Sequence, residues 1–426
     1  MFGKIYSMFD KLNRIFLFLF LISIFFFKIP NFYIFPFIKS AFLTSQALAR
    51  VLLVLIFCFQ IIRHILYKKN TFSNRNSRLA IIFILILLTL QSLSVLVSIN
   101  IIAFLGRYKD VIISLIAFFD FFFYKKHYRK LIIILLVSVV FNFFYQFLII
   151  FYQDFFINVA SSFIYQKHID LVFAKLQQNR IYLDTYDEII LPFLFIHLFN
   201  KNIKNDLISY VIFILTTFFS FVSNIRSRVL MLIVSLMGSI LVFKKISFKK
   251  IFIVFLSFLI IGFIISGSMR SFIGYSFVDR LMFEDEIDDV RPVNFRLEQL
   301  KNGMEMGKST LLGVGLGNYY DNLASINKNI FIISKSESNS SQSAQEFIHN
   351  IFGAVLAESG YISLFVFVII LYLFIKRDLS IIKKGKDYEK AFVIAFWSMF
   401  SYGLLNPILP ASYQVLFWGI RGLLIE

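Results

Sequence analysis

Apolar residues along this chain come in long runs, separated by shorter polar stretches in which lysine is concentrated. The runs at 79–105, 131–151 and 251–266 meet or approach the roughly 20 apolar residues needed to cross about 30 Å of hydrocarbon. The pattern predicts an all-α, polytopic transmembrane helix bundle of about twelve spans. The expected spans are about 15–35, 43–66, 79–105, 111–124, 131–152, 188–200, 207–223, 229–243, 251–267, 352–375, 391–405 and 411–424. Those at 111–124 and 188–200 are short for a full crossing and read as tilted, broken or partly interfacial.

The polar stretches test this threading. Basic residues fall at the N-terminus (Lys4, Lys11, Arg14) and at 68–78, 125–130, 201–204, 244–250 and 376–390, so every second connection is basic. By the positive-inside rule these connections are cytoplasmic, with both termini on the same side. The first apolar run follows basic residues as a signal peptide does, but it lacks a small-residue cleavage site and is read as a retained helix. Two long connections face the other way, at 153–187 and 267–350. The second far exceeds ordinary connector length. The expected organisation is an N-terminal membrane region at 1–266 with about nine spans, a large extracytoplasmic loop at 267–350, and a C-terminal membrane region at 351–426 with about three. Within the loop lie an acidic stretch (FEDEIDDV), an amphipathic stretch at 294–306 expected to be helical, a glycine-rich turn at 313–317, and a polar tract at 334–343 expected to be flexible. No internal repeat gives positive support to an inverted-repeat transporter.

Composition agrees. The 426 residues are 59% hydrophobic and 16% charged, against about 45–50% and about 25% in soluble domains. The net charge of +18 lies between apolar runs as an orientation signal, so it does not point to nucleic acid. The single cysteine, Cys58, excludes an intrachain disulfide and a cysteine metal cluster.

The candidate chemistry sits on the extracytoplasmic side. In SNIRSR, Arg226 and Arg228 stand at the outer mouth of two spans. An arginine there is an interfacial anchor or, beside a long outer loop, a fork matched to phosphate oxygens. Arg291 and Arg296 follow in VRPVNFRLEQL; Pro292 suits a first helical position, which leaves Arg291 in the preceding loop and Arg296 on the amphipathic helix. The GVGLGNYY run lacks dinucleotide-binding spacing, and its Gly315 and Gly317 suit a tight turn where backbone approaches a ligand or the membrane surface. His349 and Asn350 close the loop, and a neutral imidazole there can accept a hydroxyl proton. Glu358 lies too far along the following helix to serve His349 as a local partner. The acidic stretch lacks calcium-loop spacing, and no metal and no cofactor are expected. Asp184, Asp187 and Glu188 precede a span on the same face, where one of them is placed to orient a sugar. Asp120 reads as a helix–helix polar contact.

The ordered set SNIRSR, NFRLEQL, LLGVGLGNYY and FIHNIFGAVLAESGYISLF resembles the O-antigen polymerase and O-antigen ligase superfamily of bacterial envelope glycosyltransferases. The motifs cover 223–365, and the first half agrees only in topology. The family often has an aromatic residue soon after its loop arginine, where this chain has Leu300 and Lys301, so Arg291 and Arg296 compete for that place. The resemblance implies a metal-independent, inverting glycosyl transfer on the outer face of the bacterial cytoplasmic membrane. The donor is a glycan on undecaprenyl diphosphate. Arg228 or Arg226, with Arg296, would hold the diphosphate, and His349 would activate the acceptor hydroxyl. The expected activity is that of a polymerase joining undecaprenyl-diphosphate-linked repeat units, with a chain-length regulator as a compatible partner. The alternatives are a ligase that transfers glycan to lipid A–core, a lipid-linked oligosaccharide flippase, and a structural scaffold. Charges at the outer boundary rather than the bilayer midplane disfavour the flippase.

Overall fold

A computed structural model describes residues 2–37, 39–67, 75–152, 186–199, 207–222, 225–243, 290–326, 348–406 and 411–425, with a few between 155 and 172. The expected span at 251–267, the acidic stretch and the polar tract lie outside the described residues. What is described is helical, with two isolated β-bridges, Phe32 to Ile164 and Tyr33 to Thr44. The first five long helices are α1 (Phe2–Lys28), α2 (Ser45–Tyr67), α3 (Arg75–Leu93), α4 (Ile101–Phe123) and α5 (Tyr128–Phe151). They are followed by α6 (Leu191–Phe199), α7 (Leu207–Val222), α8 (Arg226–Val242), α9 (Val290–Ser309) and α10 (Tyr319–Ile326). The C-terminal set is α11 (Ile351–Lys384), α12 (Asp387–Gly403) and α13 (Ala411–Leu423). Among the described residues, four segments are long and apolar enough to cross a membrane: Ser45–Tyr67, Arg75–Val97, Lys125–Ile149 and Ile351–Lys384. Ile208–Ser220 and Ser227–Val242 are apolar but shorter.

One stretch of the expected threading is revised. The run read as spans 79–105 and 111–124 folds as α3 and α4, with the break moved back to 94–100. Hydropathy sees no polar gap there, but Ser94–Val97 tightens into a 3-10 turn and Asn100 caps α4, its side chain accepting from Ala103 N at 3.1 Å. The expected helix at 294–306 extends to 290–309 and takes Arg291 and Pro292 into its first turn. Proline is tolerated there because that N–H has no intrahelical partner.

The two ends of the chain interlock. Helix α3 packs on α11, α4 on α13, α1 on α2 and α5, and α8 on α12. One apolar core runs through all of these, and a smaller one (Met306, Val314, Tyr319, Leu323, Ile348, Ala357) ties α9, α10 and the glycine turn to the start of α11. Helix α11 is kinked at Gly360, whose φ of 80° and ψ of −179° only glycine adopts readily. The kink frees the Ala357 carbonyl, and Val314 N donates to it at 2.8 Å. The glycine turn is thereby threaded into the kink. A Cβ on Gly313 would sit 2.3 Å from that carbonyl.

Candidate functional site

Two acidic residues organise the first part of the site. Tyr186, which precedes them, has a φ of 48°, a left-handed conformation uncommon for a bulky side chain. The chain then turns through Asp187–Ile190 into α6, so that Asp187 and Glu188 point inward and are buried. Four helices converge on them. Lys28, the last residue of α1, lies 2.8 Å from Asp187 Oδ1. Asn142 and Gln146 of α5 donate to the same carboxylate at 2.9 and 3.3 Å. Arg228, in the first turn of α8, donates through Nε to Glu188 Oε1 at 2.8 Å, and Ser220 of α7 donates to that oxygen at 2.6 Å.

Arg228 is 2% exposed. Interfacial anchoring, which requires the guanidinium at the membrane surface, does not describe it. Its Nη2 is 4.0 Å from Asp187 Oδ2, and neither Nη1 nor Nη2 makes a hydrogen bond among the described residues. The guanidinium is thus gripped along one edge with donor capacity to spare on the other. Guanidinium nitrogens of this kind are hydrogen-bond donors that an oxyanion can accept from. Among the described residues, Lys28 and Arg228 stand opposite Asp187 and Glu188 in this buried volume. Arg226 is the first residue of α8 and Arg291 lies in the first turn of α9.

A second group stands at the start of α11. Asn350 caps that helix, its Oδ1 accepting from Phe352 N and Gly353 N at 2.9 and 3.0 Å, while its Nδ2 donates to the Leu404 carbonyl at 3.2 Å. That anchoring fixes His349 beside it. His349 Nδ1 is 2.9 Å from Oε1 of Gln299, a buried side chain of α9. In the neutral tautomer with its hydrogen on Nδ1, the imidazole donates to this amide oxygen and its lone pair is on Nε2. Arg296, half-buried, is on the same helix one turn before Gln299. Gln299 was not singled out in the sequence. Its only signal there is its place in NFRLEQL, one helical turn after Arg296.

The two groups are linked through aromatic residues. Leu404 follows Tyr402, which interacts electrostatically with Arg228 and meets Tyr186 edge-on at 5.1 Å between ring centroids. Tyr413 completes a triad with centroids 5.2 Å from Tyr186 and 5.6 Å from Tyr402.

The remaining expected site residues lie elsewhere. Gly315 and Gly317 do not present backbone to open space: a Cβ on Gly315 would meet Ser98 and one on Gly317 would meet Ala103. Their positive φ values let the turn pack against the α3–α4 corner, where Asn100 N donates to Asn318 Oδ1 at 2.6 Å. Glu358 pairs with Arg107 of α4 at 3.7 Å. Tyr319, after the turn, is buried, and burial pushes its phenol above the usual tyrosine range, so it stays protonated. Asp120 is fully buried among Phe118, Phe121 and Phe122, and neither carboxylate oxygen has a hydrogen-bond partner among the described residues, so it does not make the expected polar contact.

Residues 211–412 match the family described as O-antigen ligase. This region runs from α7 to α13 and contains Arg228, Arg296, Gln299, His349 and Glu358. No curated protein matches the chain.

Proposed function

We propose, from the match of residues 211–412 to the O-antigen ligase family, that the chain is a membrane glycosyltransferase acting as a surface-polysaccharide polymerase. In this reading it transfers a glycan from undecaprenyl diphosphate to a sugar hydroxyl of another undecaprenyl-diphosphate-linked repeat unit. The reaction takes place on the outer face of the cytoplasmic membrane, with both termini in the cytoplasm. The observation that carries the reading is Arg228, buried and held by Glu188 through Nε, with Nη1 and Nη2 making no hydrogen bond among the described residues.

The chemistry follows from the two groups. As the bond between the donor sugar C1 and the diphosphate oxygen breaks, negative charge grows on the leaving group. Arg228 and Arg296 stabilise that charge from positions already fixed, and electrostatic groups of this kind are typically worth about 2.7–4 kcal/mol each. The acceptor hydroxyl forms the new bond at C1 and gives its proton to His349 Nε2, whose lone pair the Gln299 contact preserves. Attack opposite the leaving group inverts the anomeric centre. Arg226 and Arg291 are near enough in sequence to extend the diphosphate site, and Asn350 holds the histidine. No nucleotide is consumed, because the donor sugar arrives activated on its carrier.

The matching family, described as O-antigen ligase, is equally compatible with a second reading, the ligase, in which the acceptor hydroxyl belongs to lipid A–core. Deletion separates the two. Loss of a polymerase leaves single repeat units on the lipid anchor, whereas loss of a ligase leaves finished polymer stranded on undecaprenyl diphosphate with none on core. Trapping of single units on the cytoplasmic side would refute both readings in favour of a flippase.

A further inference from the structure

Far from the Arg228 cluster, at the opposite ends of the helices, two connections from distant parts of the sequence meet. Tyr128, the first residue of α5, stacks on Tyr388, in the first turn of α12, with ring centroids 3.6 Å apart and planes 9° from parallel. The stack joins the α4–α5 connection to the α11–α12 connection. Lys126, Arg129 and Lys130 come with the first, and Lys383, Lys384 and Lys386 with the second, all of them exposed. The Arg129 guanidinium lies 6.0 Å from the centroid of the Tyr128 ring, and the Lys386 ammonium lies 6.0 Å from that of Tyr388. Cations from both connections are thus held against one aromatic stack.

The positive-inside rule accounts for the basic residues of each connection taken singly. It does not account for their assembly on one surface, where like charges repel unless anions lie among them. The neighbouring acids are already engaged. Asp387 pairs with Lys390 at 3.8 Å, and Glu389 Oε2 accepts from the Lys386 backbone N–H at 2.8 Å. The stretch 124–130 contains no acid at all.

The surroundings suit a lipid rather than a soluble anion. Tyrosine rings sit favourably at the level of lipid headgroups. An arginine fork and lysine ammonium groups both bind phosphate oxygens. Further along the same helices, Ile133 and Val137 of α5 and Ile375 and Leu379 of α11 are exposed, which gives acyl chains apolar surface to lie on. Basic surface at the mouths of apolar helices is the usual setting for an anionic headgroup.

We propose that the Tyr128–Tyr388 junction is a binding site for the phosphate headgroup of an anionic phospholipid. Cations of both connections hold the headgroup, and the lipid fastens the start of α5 to the start of α12. The site stands apart from the transfer reaction proposed above.

The test is thermal unfolding of the full-length protein in neutral detergent with cardiolipin added to the micelles. Lys130→Gln with Lys386→Gln removes one cation from each connection. Lys11→Gln with Arg14→Gln removes two exposed cations of α1 and serves as the control. Cardiolipin is expected to raise the midpoint of the native protein and of the control by at least about 2 °C, and that of the junction variant by half as much or less. An equal rise in the junction variant overturns the proposal. So does an equal loss in the control, which marks a general effect of surface charge. A rise of the same size with phosphatidylcholine or with inorganic phosphate also overturns it, the first by removing the need for an anion and the second by removing the need for a lipid.

Discussion

Glu188→Gln separates the structural weight of the acidic pair from its place in the chemistry. In the native cluster the Glu188 carboxylate accepts from Arg228 Nε at 2.8 Å and from Ser220 at 2.6 Å, with both charged side chains essentially out of solvent. Among the described residues the other anion near Arg228 is Asp187, 4.0 Å from Nη2 and already engaged by Lys28, Asn142 and Gln146. Neutralising Glu188 therefore leaves a buried cation short of its principal counter-charge. Breaking one side of such a pair costs about 3–5 kcal/mol, and glutamine, which keeps an acceptor for Nε, belongs at the lower end. Against a typical net stability of about 5–15 kcal/mol, that loss is plain in a thermal unfolding curve of the purified protein in detergent. Replacing both partners, Glu188→Leu with Arg228→Met, restores an uncharged interior and recovers most of the lost stability. Polysaccharide made by cells carrying the double variant should nevertheless be absent. An unfolding curve for Glu188→Gln that overlays the native one would refute the energetic argument. Normal polymer from the double variant would refute the assignment of Arg228 to the leaving group.

Other predictions address the second group and the frame. His349→Ala and Arg296→Ala should each abolish polymer while membrane abundance on immunoblots stays level; normal product from both would remove them from the site. Gln299→Leu should lower the transfer rate by up to about 10²–10⁴-fold, the usual worth of a positioned general base. Gln299→Glu should instead move the acid limb of the pH–rate profile upward: a carboxylate at Nδ1 stabilises the imidazolium, and the base then works only above its raised pKa. Gly360→Ala should be severely destabilising, since its φ is positive and the new Cβ would meet the Leu311 carbonyl at 2.1 Å, whereas Gly106→Ala, with nothing within 4 Å, should melt like the native protein. Arg421→Ala should destabilise by about 3–5 kcal/mol by removing the ion-pair partner of buried Asp378 at 2.6 Å, leaving it the Trp397 hydrogen bond, with no effect on the sugar linkage formed.

Helix positions were legible because apolar runs are a local signal, and α2, α5, α7 and α11 fall close to where hydropathy puts them. The α3–α4 break was not, because a capping asparagine and a short 3-10 turn interrupt the backbone without interrupting apolarity. Arg228, Arg296, His349 and Asn350 stood out as polar residues beside the long loop. Glu188 was named too, but the long-range contacts were not: Gln299 meets His349 across 50 positions, and Lys28 meets Asp187 across 159. Such pairings are created by tertiary packing, and no spacing rule encodes them. The glycine turn was recognised as a turn, but its target was misjudged because the Gly360 kink that receives it is silent in sequence; glycine inside an apolar helix ordinarily passes without a bend.

The way α4 and α13 pack together bears on how the protein is made. Lys28, Arg107, Asp187 and Glu188 all precede residue 211, where the family match begins, while the Gly360 kink and the Tyr402–Tyr413 pair are made later. Lys28 can meet Asp187 early, but Arg107 must wait in the bilayer without Glu358 until α11 emerges. A ribosome stalled before α11 would leave Arg107 without Glu358, a ready mark for membrane proteases, and an excised 211–412 fragment would inherit Arg228 without the carboxylate that holds it.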